Sequence, residues 1–148
     1  MSAISGEFVT WVLGRCQAEA GGVLVLGESL FDERDMDLGT KVQRALNEGL
    51  RMAAAVSVPR LDRTERRSAD DTAQRCTVEV AIVRSSLSAE VDSLALAEKL
   101  YLAFSGAEWE PAGGRGIGCC DVAADSLRTE VTAKSMAHSF EVSTIITL

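Results

Sequence analysis

The chain is short of basic charge, of histidine and of long apolar runs. Its 15 lysines and arginines are outnumbered by 22 aspartates and glutamates, giving a net charge of −7. That balance excludes the broad basic face of a general nucleic-acid binder. No apolar run approaches the ~18 residues that span a bilayer, so no membrane partner is expected. Residues 1–6 lack the basic start and small-residue end of a signal peptide, so the expectation is a protein made in the cytoplasm. The one histidine, His138, excludes a multi-histidine metal site within a single chain. It lies in the polar stretch 134–139, which reads as a hairpin loop with a solvated imidazole. Cys16, Cys76, Cys119 and Cys120 contain no Cys-x-x-Cys pair. Adjacent Cys119 and Cys120 point to opposite faces of a strand and cannot easily grip one metal. All four are expected to be small buried hydrophobes.

What is present suits one folded domain. The 148 residues are 47% apolar and 25% charged, enough to bury a single core. Apolar residues at Ile4, Phe8, Trp11, Val12 and Cys16 fall at helical spacing, so a helix is expected over 4–20, ended by Gly21-Gly22. Residues 23–26 read as a short buried strand or extended piece, and 27–37 as a polar, acidic segment. Residues 38–50 return to helical spacing, with Asp37 as N-cap. A strand is expected over 52–58, closed by Pro59. The clearest strand is 75–84, where Cys76, Val78, Val80 and Ile82 alternate with the other face. A strongly apolar helix follows over 89–105, with Ser88 as N-cap. Apolar beyond one stripe, it needs cover on two sides. Residues 119–131 hold alternating stretches, with Leu127, Thr129 and Val131 on one face. The last strand is 140–148. Together these elements predict a single α+β domain, mainly antiparallel, with helices packed on a face of the sheet. Its long connections are a polar loop at 60–74 and a Gly-rich loop at 106–118.

The candidate chemical motifs are weak. Gly113-Gly114-Arg115-Gly116-Ile117-Gly118 has neither a phosphate-loop Lys nor a dinucleotide-binding register. Asp32, Glu33, Asp35 and Asp37 lack the glycine and final glutamate of an EF-hand. An enzyme built on that cluster would need a tightly held metal. No cofactor, no metal and no catalytic residue is therefore assigned. The residues singled out are contact candidates. Arg60, Arg63, Arg66 and Arg67 make the one local basic patch, interleaved with acids, and suit an arm touching a neighbour. Trp109, between Glu108 and Glu110, is either locally packed or an exposed interface anchor. Arg115 sits in the Gly-rich loop, where a partner can reach it.

The order of these elements resembles the small tail terminator and neck proteins of long-tailed bacteriophages. The segments that carry it are helix 38–50, strand 51–58 with Pro59, the long polar loop, strand 75–83, the helix around Leu94–Phe104, and the closing strand 140–148. The resemblance implies a non-enzymatic virion component of the tail or neck, assembled in the host cytoplasm. It implies a ring, commonly of six subunits, that stops tail-tube growth and docks the head-completion protein. Six such chains would carry about −42, and an acidic lumen would let DNA pass without sticking. The alternatives are a head-tail connector, a tail-tube subunit, or a small oligomeric α+β domain that binds a ligand or partner.

Overall fold

The computed structural model describes residues 3–34, 38–49, 51–63, 73–85, 92–109, 118–122, 127–132 and 134–147. The fold is α+β. Its helices are α1 (Ile4–Glu19), α2 (Leu38–Asn47) and α3 (Ser93–Phe104). Its strands are β1 (Leu30–Asp32), β2 (Met52–Val56), β3 (Arg60–Arg63), β4 (Ala73–Ser85), β5 (Glu108–Trp109), β6 (Gly118–Cys119), β7 (Asp121–Val122), β8 (Arg128–Val131) and β9 (Ser135–Thr147).

The spine is the antiparallel pair β4–β9, paired from Ala73–Thr147 to Ser85–Ser135. Both strands alternate cleanly. Cys76, Val78, Val80 and Ile82 share one face with Thr144, Val142, Phe140 and His138. This face carries the main core, covered by α1 and α3. Six α1 residues at helical spacing, Ile4 to Cys16, are buried there, each apolar side chain contributing about 1.5–3 kcal/mol. The opposite face is divided. Phe31, Ala53 and Ala55 lie under Val42, Ala45 and Leu46 of α2. The rest of that face, over β3, β4, β9 and β8, carries mostly polar and charged side chains, with Ile145 exposed among them. Two helices therefore pack on one face and the third on the other.

β2 and β3 are one strand interrupted by a bulge. Val56 stands opposite Val80 and Arg60 opposite Thr77, so residues 57–59 face only 78 and 79. Pro59 has no N–H for the ladder, which favours an irregular site. Ser57 holds the bulge by donating its N–H to the Glu79 carbonyl at 2.9 Å. Its Oγ accepts from the Glu79 N–H at 2.8 Å.

Several expectations change. The strand expected at 23–26 is a turn region instead, and the real strand β1 begins at Leu30. Between Gly22 and Gly27, which both take positive φ, the apolar run pairs only through an isolated bridge from Leu26 to Leu30. Here the Ser29 Oγ accepts from Val25 N–H at 2.8 Å. β1 joins β2 in parallel, and its Asp32 anchors Arg34, whose guanidinium also donates to the Gly6 carbonyl at 2.8 Å. Both ends of the expected 60–74 loop are strand, because Leu61 and Asp62 pair with Cys76 and Arg75. The expected caps Asp37 and Ser88 lie outside the described residues. The described start of α3 is capped by Asp92, whose Oδ1 accepts from Ala95 N–H at 2.9 Å. One side of this helix lies on the sheet as expected, with Ser93, Ala97, Leu100 and Phe104 buried, while Leu94 and Leu102 on its other side are exposed, the side for which a second element or a neighbouring subunit was expected.

Cys16, Cys76 and Cys120 are buried, and burial pushes the thiol of Cys16 up to about 12 and that of Cys76 up to about 11. A thiol raised in this way stays protonated at neutral pH, which weakens it as a nucleophile.

Candidate functional site

The uncovered half of the sheet carries a row of opposite charges. Register places Glu79 directly opposite Glu141. Like charges so placed repel each other. Arginines on the two flanking strands answer them. Arg128 of β8 donates from Nη2 to Glu79 Oε2 at 3.2 Å. Arg60 of β3 has its Nη1 at 3.9 Å from Glu141 Oε1. Arg60 also donates from Nε to Asp62 Oδ2 at 3.0 Å, and this bond holds its guanidinium still more firmly protonated. Exposed pairs of this kind are individually weak, because solvent and salt screen them. Their joint effect is to give four strands one alternating polar surface.

The bulge opens a concavity of about 320 Å³ beside this row. Glu33, Ser57, Arg60, Thr77, Glu79 and Glu141 line it. Glu33 reaches it from the end of β1 and accepts from the Val58 N–H at 3.0 Å. Among the described residues, no group of three or more His, Cys, Asp or Glu is arranged to hold a metal ion. The side chains that line the concavity offer hydrogen bonds and ion pairs to a polar surface.

A second polar cluster sits inside the protein. His138 is not in a loop, as its polar neighbours suggest, but inside β9 and 1% exposed. Its pairing with Ile82 turns it onto the core face. Nε2 lies 2.9 Å from Ser93 Oγ and Nδ1 lies 2.8 Å from Thr129 Oγ1. A neutral imidazole offers one donor and one acceptor, and two hydroxyls can satisfy both. A serine hydroxyl on an imidazole is a nucleophile–base geometry. Here Ser93 is itself buried and the orienting group is a hydroxyl, so the cluster works as a tie between α3, β8 and β9.

This tie makes stability pH-dependent. Burial first, then Arg84 on β4, holds the imidazole below its ordinary value of 6.5, with Asp92 and Glu98 of α3 opposing. The unfolded chain therefore binds the proton more readily. The contribution of neutral His138 is complete above pH 6.5 and is lost as pH falls through the lower folded value. Thermal melts across this window should show a falling midpoint, with a shallower fall in His138→Gln. Equal slopes in both proteins would contradict the assignment.

Of the contact candidates among the described residues, Arg60 lies at the concavity. Arg63 ends β3, well along the strand from it. Arg66, Arg67 and Arg115 lie outside the described residues. Trp109, for which local packing and an exposed anchor both stood open, is a core residue and not an exposed anchor. It is 3% exposed, its Nε1 donates to Thr144 Oγ1 at 3.0 Å, and its ring lies 5.2 Å from Phe8. The short β5–β6 pairing carries it inward, leaving Glu108 exposed. Glu33, Glu79, Glu141 and Arg128 were not foreseen as a group. Glu79 and Glu141 do occupy the polar alternate positions of two strong strands, but only their register joins them.

No family model matches the chain, and no curated protein sequence matches it.

Proposed function

We propose that this chain is a structural tail terminator of a long-tailed phage or prophage-derived particle, a virion protein whose subunits close into a ring. In this reading the ring caps the tail tube and meets the head-completion protein. The observation that carries the reading is the element order on which the resemblance rests: α2, β2 with Pro59, β4, α3 and β9 follow one another in the chain. The charge row adds to it. A broad polar sheet face with interleaved signs resembles the rim of a protein–protein contact more than a small-molecule pocket. A closed ring needs two different patches per subunit. The uncovered sheet face and the exposed α3 stripe of Leu94 and Leu102 are two such surfaces. The acidic balance suits a lumen through which DNA passes without binding.

Light scattering across a concentration series, with negative-stain images of the same fractions, tests the reading. Discrete rings of about six subunits support it. Long stacked tubes instead identify a tube subunit.

A further inference from the structure

We infer that β8 is a two-fold docking edge that pairs antiparallel with β8 of a second copy of this chain. The inference does not rest on the tail-terminator reading. All four β8 residues are exposed, Val131 to 69%. Among the described residues, β8 pairs only with β9.

The backbone geometry selects the register. Thr132 N–H donates to the Ser135 carbonyl at 2.9 Å at the end of the β8–β9 ladder. Bonded and non-bonded pairs alternate in an antiparallel ladder. The Glu130–Ala137 and Arg128–Ser139 pairs are therefore bonded to β9. The N–H and C=O of Thr129 and Val131 then point to the open edge, and those of Leu127 follow in the same alternation.

The side chains select the same register independently. The segment Leu127-Arg128-Thr129-Glu130-Val131 complements its own reverse. Centred on Thr129, an antiparallel copy puts Thr129 opposite Thr129, Arg128 opposite Glu130 and Leu127 opposite Val131. The outward backbone groups meet one another, two charge pairs form, and exposed Val131 gains an apolar partner in Leu127, which already packs against the core. Opposite charges and apolar pairs across strands are favourable, and like charges there are not. Arg128 and Glu130 share a sheet face, so the added pairs extend the charge row across the two-fold axis. Shifting the register by one residue would turn the matched side chains to opposite faces.

This contact is isologous, whereas neighbours within a ring meet head to tail. It doubles whatever unit forms: a monomer becomes a dimer, and a ring becomes a pair of rings. The test is sedimentation velocity on four samples of the chain: wild type, two variants and the mixture of the two. Glu130→Arg sets arginine against arginine across the axis and should halve the particle mass with an unchanged circular dichroism spectrum. Arg128→Glu alone should do the same. An equimolar mixture of the two variants restores opposite charges at every position and should restore the doubled mass. A wild-type monomer, or a mass unchanged by Glu130→Arg, would overturn the inference. A six-subunit ring that keeps its mass in both variants would overturn it while leaving the ring reading intact. Halved masses that fail to recover on mixing would also overturn the register.

Discussion

Leu100→Asp abolishes cooperative folding, while Leu102→Asp, two residues along the same helix, leaves it nearly unchanged. Leu100 is fully buried against the main core, and Leu102 is 71% exposed. Removing the leucine bulk costs about 2–5 kcal/mol through lost burial and a residual cavity. Burying a carboxyl without a partner adds roughly 2–7 kcal/mol, even if it stays protonated. The sum is comparable to the whole stability of a domain this size, about 5–15 kcal/mol. Exposed substitutions generally stay within about 0.5 kcal/mol. Circular dichroism melts and gel filtration of the two variants check the contrast. A soluble Leu100→Asp protein with a normal melt would mean that α3 faces the other way.

Trp109→Ala has the next largest effect. The indole fills the junction of α1, α3 and the sheet, touching Phe8 and Trp11 with ring centroids at 5.2 and 6.4 Å. Its loss should cost about 3–5 kcal/mol, lowering the melting midpoint by roughly 6–20 °C. Trp109→Phe keeps most of the ring packing but loses the N–H bond to Thr144. That change should cost about 1–2 kcal/mol. If Trp109→Ala melts like the wild type, the indole is not in the core and an interface role returns.

The long elements were legible because their periodicity is strong. Alternation in Cys76–Ile82 and Phe140–Ile146 marked the central strands, and the spacing from Ile4 to Cys16 marked α1. The short ones were not. Leu30-Phe31-Asp32 is only three residues beside a run of acids, and parallel pairing with β2 depends on a partner distant in the chain. His138 was misread because Lys134, Ser135 and Ser139 surround it with polarity. Yet Met136, His138 and Phe140 continue the alternation of β9, and that period decides which face the imidazole meets. Trp109 was ambiguous because two residues of strand carry no period. The candidate site was hardest to read. Glu79, Glu141, Arg60 and Arg128 come together only through the registers of four strands, and the bulge at Ser57–Pro59 sets where Arg60 arrives. Two-residue spacing names the outward positions, but it does not say which outward positions become neighbours.

The same registers link fold to proposed function. The β4–β9 spine presents one apolar face to α1 and α3 and frees part of the other for charged contacts. Among the described residues the main core lies under α1 and α3, and part of the other sheet face stays exposed. Under the proposed reading, action as a terminator depends on where the chain binds, which is directly observable.

Electron microscopy of tail tubes mixed with the labelled protein is the most direct measurement. The account predicts label at one end of each tube, as a single ring, with tube growth halted there. Label along the tube walls, incorporation into the tube itself, or tubes that keep growing past the bound protein would contradict it.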